Sequence, residues 1–342
     1  MAMTEDGLSP ADFAATAARA IAACAGFTAR QQAERLGGDG LLGVTANEEV
    51  GGLGLSAAFA VPVAAAAGSG LLGFPLLETL LLGRLLQAPL PDVSRALVSG
   101  ASCATIAWTN AVTAKAQGDL ILLSGCIGRA PCAADADWLL VRVGDDATAL
   151  VPATTSGVVL EGPTGLDLTM PEYTVRLDHV SIAERNLLPA GTWPLLQSDA
   201  LVLRAAAIMG SAEACLVMAQ EHASTRRQFG HALAYNQAIR HALARHKLGL
   251  ESIRHAITRS LFGEAGALER NAAFLAAASH GVAISQGALQ VHGGMGFTWD
   301  VPIHRHLRRI LALQAQGDAS GLLRALGQRY VTEIEPSSEA VA

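Results

Sequence analysis

Residues 290–299 read QVHGGMGFTW, a glycine turn between two helical patterns. A long alanine-rich pattern precedes the turn, and a second helical pattern begins at Ile303. Two adjacent glycines let the backbone approach a bulky ligand, because no Cβ stands in the way. The N–H groups of such a turn can form a concave site for an anion such as a pyrophosphate. Taken alone, however, the stretch is better explained as a plain helix-to-helix turn closed by glycine.

A second segment changes this interpretation. Residues 226–230 read RRQFG at the end of another long helical pattern, and Asn236-Gln237 opens the next one. Together the two segments resemble the acyl-CoA dehydrogenase family, whose pattern is Arg-x-Gln-Phe-Gly, then a Gln, and much later Gln-x-x-Gly-Gly-x-Gly. Residues 47–56, NEEVGGLGLS, are similar to the family's Pro-Glu-Glu-Tyr-Gly-Gly-x-Gly-x-Ser turn between early helices.

The composition limits the classes of function. With 342 residues, the chain is too long for one ordinary core, so two or three domains are expected. The formal net charge of −6 gives no sign of a nucleic-acid or anionic-membrane partner. Five scattered cysteines without a Cys-x-x-Cys pair predict reduced thiols in a cytoplasm and no metal site. Residues 1–10 carry two acids and no basic segment, so we expect no signal peptide.

Two other patterns need an interpretation. Residues 51–77 carry no charge and are long enough to span a bilayer. Pro62, Pro75 and many small residues make them a poor apolar span, so we predict a buried helix with flanking turns. Residues 38–43, GDGLLG, match Gly-x-Gly-x-x-Gly, but a helical pattern precedes them where a dinucleotide site needs a strand. We interpret them as a glycine-rich loop.

The periodicity predicts an α+β fold with three regions, and the resemblance implies that they are arranged as in acyl-CoA dehydrogenases. Residues 1–100 are predicted to form an N-terminal helical domain, and residues 101–192 a small antiparallel β-domain. Residues 193–332 are predicted to form a C-terminal four-helix bundle, because apolar residues recur at spacings of three and four from Leu201. Residues 333–342 are predicted to be a loose tail. The last three bundle helices are expected at 236–262, 269–290 and 303–328.

The resemblance implies a reaction and a cofactor. Family members desaturate an acyl-CoA thioester: a Glu removes the α proton, and the β hydrogen leaves as hydride to FAD. In homotetrameric members, one subunit's β-domain holds the isoalloxazine and the neighbour's bundle holds the adenosine diphosphate end. A bare pair of arginines at a helix C-terminus is the alternative interpretation of residues 226–227. The resemblance assigns the neighbour's half of the site to Arg226, Gln228, Phe229, Asn236, Gln237, Gln290, Val291, His292, Gly293 and Gly294.

The flavin half of the site departs from the family pattern. The family's Thr-Glu-Pro-x-x-Gly-Ser-Asp loop corresponds to residues 107–114, AWTNAVTA, which lack its Glu-Pro and Gly-Ser-Asp. The family's Trp-Ile-Thr-like flavin contact corresponds to Arg129-Ala130-Pro131. Pro131 has no backbone N–H to offer. We therefore do not expect this chain's own β-domain to bind FAD.

The catalytic base is missing from both positions at which family members carry it. Those positions correspond to Gly317 and Ala200, and neither side chain can accept a proton. Asp318 and Asp199 lie one residue away and are alternative bases. Their simpler interpretations are a solvated helix face for Asp318 and a helix N-cap for Asp199.

A subset of the family explains this asymmetry. Some members in bacterial steroid side-chain degradation are heterotetramers of two related chains, of which only one carries the base. Residues 296–309, GFTWDVPIHRHLRR, resemble that subset. His304 and His306 are too close in sequence to form a metal pair on one helix face, and we interpret them as an interfacial basic cluster.

The resulting hypothesis is a shorter, non-catalytic subunit of a FAD-dependent acyl-CoA dehydrogenase. It shares FAD with a longer partner chain that supplies the catalytic Glu, and a steroid side-chain CoA is one implied substrate. An electron-transfer flavoprotein is the implied electron acceptor. Two alternatives remain open: a self-sufficient enzyme with a relocated Asp base, and a purely structural scaffold subunit.

Overall fold

The computed structural model describes residues 9–228 and 230–334. Its N-terminal region consists of helices. A capping box between Ser9 and Asp12 starts the first of them. The helices in this region are α1 (Pro10–Ala23), α2 (Ala29–Gly38), α3 (Ala57–Ser69), α4 (Leu76–Leu86) and α5 (Pro91–Val98), with a 3-10 turn at Glu48–Val50.

Both patterns that needed an interpretation have the predicted structure. Residues 51–77 contain the turn before α3, the whole of α3 and the start of α4. Helix α3 is apolar on nearly all sides, and most of its side chains are buried or partly buried, as predicted for a core helix. The loop at residues 38–43 follows helix α2 and not a strand, so the predicted helical context of this glycine-rich loop is confirmed.

The middle region contains two four-stranded sheets. Their orders are β1-β4-β5-β8 and β2-β3-β7-β6. All pairs are antiparallel except β1 with β4, so the sheet region is largely, but not wholly, antiparallel. The strands are β1 (Ala104–Ile106), β2 (Thr113–Gln117), β3 (Leu120–Pro131), β4 (Trp138–Val143), β5 (Ala147–Pro152), β6 (Val158–Thr164), β7 (Glu172–Ala183) and β8 (Leu187–Leu188), with 3-10 turns at Ala133–Asp135 and Glu184–Asn186.

The C-terminal region is a bundle of long helices. Between its first two helices lie a hairpin of β9 (Arg227–Gln228) and β10 (His231–Ala232) and a 3-10 turn, Leu233–Tyr235. A second 3-10 turn, Gly293–Phe297, follows α8. The helices are α6 (Thr192–Thr225), α7 (Gln237–Ser260), α8 (Ala267–His292), α9 (Ile303–Gln316) and α10 (Ala319–Ile334).

The predicted helix at 303–328 is wrong in one respect. It is broken between α9 and α10, where Asp318 adopts a left-handed φ of 48°. The predicted tail lies outside the described residues from 335 onward, and α10 reaches two residues into it. The domain divisions at residues 100 and 192 stay predictions.

Helix α6 is the central helix of the molecule. It packs against α3, α7, α8 and α9. By length and composition alone, α6 and the stretch Ala267–Phe297 are apolar enough to cross a membrane. The most apolar part of α6 is 78% buried by other parts of the chain, which identifies it as a core helix.

Candidate functional site

A pair of stacked histidines brings the two glycine-containing segments together. His222 lies in the last turn of α6, and His292 is the last residue of α8. Their ring centroids are 4.3 Å apart, and the ring planes differ by 25°. The N–H of Arg226 donates to the carbonyl of His222 over 2.9 Å, so Arg226 lies one turn beyond the stacked rings along the chain. Two segments that are some seventy positions apart in sequence therefore meet at one surface.

The hairpin after α6 fixes the start of the first segment. Leu233 N donates to Arg226 O over 2.9 Å, which folds the chain back on itself. Arg226 and Gln228 are exposed on this hairpin, and Gln237 is exposed at the start of α7. Asn236 is partly buried, and its amide donates to Leu233 O over 3.1 Å. The predicted contact Phe229 lies outside the described residues.

The glycine turn forms the other side of this surface. Gly293 has a φ of +60°, a conformation that favours glycine. No atom lies within 4 Å of where a Cβ would stand at Gly293 or Gly294, so this side of the turn is open. Gln290 is exposed beside it, whereas the side chain of Val291 is buried in the core. Only the backbone of Val291 is therefore available to a ligand.

The surface is basic. Burial and the neighbouring His292 and Arg226 hold the pKa of His222 below its usual value. A multiply charged anion placed here would relieve the repulsion among these groups. The exposed Arg226, the open glycine turn and the basic surroundings fit the diphosphate of a dinucleotide such as FAD. We refer to this set, Arg226, Gln228, Asn236, Gln237 and 290–294 with His222, as the nucleotide half-site.

His222 was missed by the sequence analysis. It lies four positions before Arg226, the residue that follows the end of α6, and this spacing is a signal that a helical-period argument could have used. The partner ring of His292 could not be found that way, because the contact joins two different helices.

The flavin position of this chain has different chemistry. The register of β3 against β7 shifts between Ile127 and Ala130, and Arg129 in this bulge has a φ of 56°. Its guanidinium donates to the buried carboxylate of Glu172 over 3.0 Å. The carbonyl of Pro131 accepts from the Thr105 hydroxyl. The residues that correspond to the flavin contact are thus committed to internal bonds, and they do not fit an isoalloxazine.

Next to Arg129 lies a cavity of about 560 Å³ between the sheets and the bundle. Gln314, Asp318 and Ser320 line its other side. Asp318 therefore lines the same cavity as Arg129, the residue that corresponds to the start of the family's flavin contact. No group in it matches the family's base.

There is no space for a catalytic side chain at Gly317. A Cβ built there would lie 2.3 Å from Cζ of Phe274, and this phenyl ring is completely buried. Ala200, the other base position, is 1% exposed inside α6. The packing around Gly317 therefore leaves no room for an acidic side chain at this position.

Both alternative bases have structural roles, but not the ones we expected. Asp318 is not on a helix face: its carboxylate accepts from Gly321 N over 3.0 Å and so caps α10. Asp199 is not an N-cap, because α6 begins seven residues earlier. Its carboxylate is paired with Arg270 at 2.5 Å and with Arg84 at 3.8 Å.

The interpretation of His304 and His306 as a basic interfacial cluster is also wrong. Both side chains are buried within the chain itself. Burial next to Arg309 and Arg305 lowers the pKa of His306 to about 4, so this imidazole is neutral at physiological pH. The α9 face that carries them contributes to packing and not to surface charge.

The altered loop at 107–114 is anchored in the core. Trp108 donates from its indole N–H to the Glu78 carboxylate over 3.0 Å. The guanidinium of Arg204 lies 3.8 Å above the Trp108 ring. Burial raises the pKa of Glu78 and lowers that of Arg204 to about 10. The sequence analysis missed this buried cluster, which ties the loop to α4 and α6.

Comparison with known proteins shows similarity to acyl-CoA dehydrogenases. Residues 200–329 match the family model "Acyl-CoA dehydrogenase, C-terminal domain". The chain is 28% identical over 265 residues to acyl-CoA dehydrogenase IpdE2 of Mycobacterium tuberculosis, covering 77% of this chain and 74% of the relative.

Two solved structures show the same fold. The ChsE4-ChsE5 complex from Mycobacterium tuberculosis gives a TM-score of 0.88 at 24% identity, covering 98% of this chain and 99% of the other. The Tcur3481-Tcur3483 steroid ACAD, as a G363A variant, gives 0.86 at 23% identity, covering 96% and 99%. Together with the matching segments of the nucleotide half-site, these findings show an acyl-CoA dehydrogenase-like chain whose residues 200–329 match the C-terminal domain of that family.

Proposed function

We propose that this chain is the non-catalytic subunit of a heteromeric, FAD-dependent acyl-CoA dehydrogenase. Its nucleotide half-site holds the adenosine diphosphate end of a FAD whose isoalloxazine lies in a longer partner chain. That partner carries the catalytic Glu. One observation supports this most: an open, basic half-site exists in a chain that has no space for a base at Gly317.

Each part of the half-site has a physical role in this proposal. When bound, FAD accepts the hydride during desaturation of an acyl-CoA. Arg226 offers a planar fork of donors that matches phosphate oxygens. The turn at Gly293-Gly294 allows close approach of the backbone. This chain therefore binds and orients the cofactor, whereas the partner chain carries out the proton transfer.

The likeness to two-component acyl-CoA dehydrogenases supports a heteromeric assembly. The structure with the highest TM-score reported above is a complex of two differently named chains, and the other is described as a steroid enzyme. By analogy we propose an acyl-CoA substrate with a bulky group, such as a steroid side chain. We further propose an electron-transfer flavoprotein as electron acceptor and a cytoplasmic location.

The geometry does not favour a self-sufficient enzyme. Asp199 is ion-paired with two arginines, and Asp318 caps a helix, so each carboxylate already has a structural role. A relocated base would predict turnover by the single chain, lost in Asp318→Asn or Asp199→Asn.

The half-site is tested by the flavin content of the co-purified complex. Arg226→Ala should reduce bound FAD by at least about tenfold, since a charge-assisted bond to phosphate is lost. Arg19→Ala, an exposed arginine on α1, serves as the control and should leave FAD content unchanged. If Arg226→Ala retains full FAD in an intact complex, the scaffold interpretation replaces this proposal.

A further inference from the structure

Five large apolar side chains project into solvent, and three of them lie on the turn that continues the nucleotide half-site. They come from two separate loops: the loop between β6 and β7, and the turn that follows α8. Trp299 is 68% exposed and Phe297 is 71% exposed. The set, which we call the Trp299 patch, consists of Leu166, Leu168, Met295, Phe297 and Trp299.

The two loops form one continuous surface. Leu168 and Trp299 line the same small cleft, of about 70 Å³, together with Arg305 and Arg308. A tryptophan with an apolar neighbour and arginines at the edge is the composition of a binding hot spot and not that of an average surface.

The patch is held in place by buried contacts. The Trp299 ring packs edge-on against the buried His304, with centroids 5.1 Å apart. Asp167, between the two exposed leucines, is buried and bonded to Arg309 and to Thr169. The loops are thus fixed by their polar residues while their apolar side chains face water. Such an arrangement is unfavourable for a lone chain and is typical of a preformed protein interface.

The position and charge of the patch indicate its partner. The residues Met295 and Phe297 directly continue the glycine turn of the nucleotide half-site. The chain that supplies the isoalloxazine must therefore pass over or beside them. A self-complementary interface centred on Trp299 would bring Arg305 and Arg308 close to their own copies, at an electrostatic cost. An unlike chain with acidic groups at this edge has no such cost.

We propose that the Trp299 patch is the hot spot of the contact with the flavin-bearing partner chain, with acidic partner groups opposite Arg305 and Arg308. This inference rests on the proposed function. It adds to it the surface on which the heteromer assembles and the chemistry of the partner at that surface.

The test measures association of this chain with the co-expressed longer chain. The double variant Phe297→Ala and Trp299→Ala should weaken association by at least about tenfold, because truncating a hot spot has effects of that size. The control is Leu195→Ala, an equally exposed leucine at the start of α6, which should leave association unchanged. Circular dichroism of the isolated variant checks that it folds.

A charge variant tests the same surface without removing apolar contacts. Arg305→Glu with Arg308→Glu should slow association and reduce its sensitivity to salt. Normal association of both double variants would overturn the inference. So would loss of self-association in place of association with the longer chain, because the occupant would then be a second copy.

Failure of the inference can be told apart from failure of the proposed function. If patch variants assemble normally while FAD content still depends on Arg226, only the inference is wrong. If patch variants fail to associate with the longer chain while FAD content is independent of Arg226, only the proposed half-site is wrong.

Discussion

At the scale of single residues, the phenyl ring of Phe274 occupies the space into which a side chain at position 317 would project. Glycine at position 317 was evident from the sequence, and so was the absence of an acid there. The contact with the ring of Phe274, more than forty positions earlier, was not evident from the sequence, because it depends on how α8 packs against the end of α9. Local motifs predict which residue occupies a position, and packing decides whether another could replace it.

Gly317→Ala tests this packing. The new Cβ would overlap the Phe274 ring, so we expect a loss of about 1–3 kcal/mol in the free energy of unfolding, typical of overpacking. Urea unfolding measures it. Gly327→Ala within α10, where no atom lies within 4 Å, is the matched control and should be neutral or slightly stabilising. Equal stability of both variants would contradict the packing argument.

His306 makes stability depend on pH. Its folded-state pKa of about 4 lies below the ordinary value of 6.5, so the unfolded chain binds the proton more readily between these values. Its contribution to stability is full above pH 6.5 and is lost as pH falls toward 4. Compared with the wild type, His306→Leu should show a shallower fall in unfolding free energy over this window. Parallel curves for the two proteins would show that the imidazole is not buried as described.

At the scale of elements, α3 and α6 interlock through a reciprocal pair of glycines. A Cβ at Gly68 would lie 1.9 Å from Ala207 O, and one at Gly210 would lie 1.9 Å from Ala65 O. The existence of both helices was predictable from their periodicity and apolar content. The close approach of the two helices was not predictable, because an alanine-rich sequence offers many equivalent faces for packing. The break at Asp318 escaped prediction for a similar reason, since the apolar pattern continues across it.

Alanine at either glycine should force these helices apart. We expect Gly68→Ala and Gly210→Ala each to lower the free energy of unfolding by about 1–3 kcal/mol. Gly38→Ala, at the open end of α2, is the control and should not destabilise. Thermal unfolding of the three variants compares them. If Gly210→Ala is as stable as the wild type, the helices are not packed this closely.

At the scale of the whole molecule, buried polar contacts fix the three regions to one another. Arg309 on α9 bonds to Asp167 in the sheet region and to the carbonyl of Leu72 in the N-terminal region. Gln316 donates to Glu172 across the same junction over 2.8 Å. The polar groups of this junction are bonded to one another, and the open basic surface lies elsewhere, at the ends of α6 and α8.

The sequence was sufficient for the fold class, which rests on periodicity and on short motifs. The same motifs place most of the nucleotide half-site, whose role in binding stays a prediction, but they do not reveal His222. It was insufficient for the Trp299 patch. Exposed and buried tryptophans look alike in a sequence, and Trp108 and Trp299 have opposite environments.

One measurement tests the central claim most directly: the FAD content and dehydrogenase activity of the purified chain alone and of the complex with its longer partner. We predict little flavin absorbance and no activity for the chain alone. The complex should contain about one FAD per pair of unlike chains, since each site needs one half from each chain. Full flavin loading with turnover by the single chain would contradict the account.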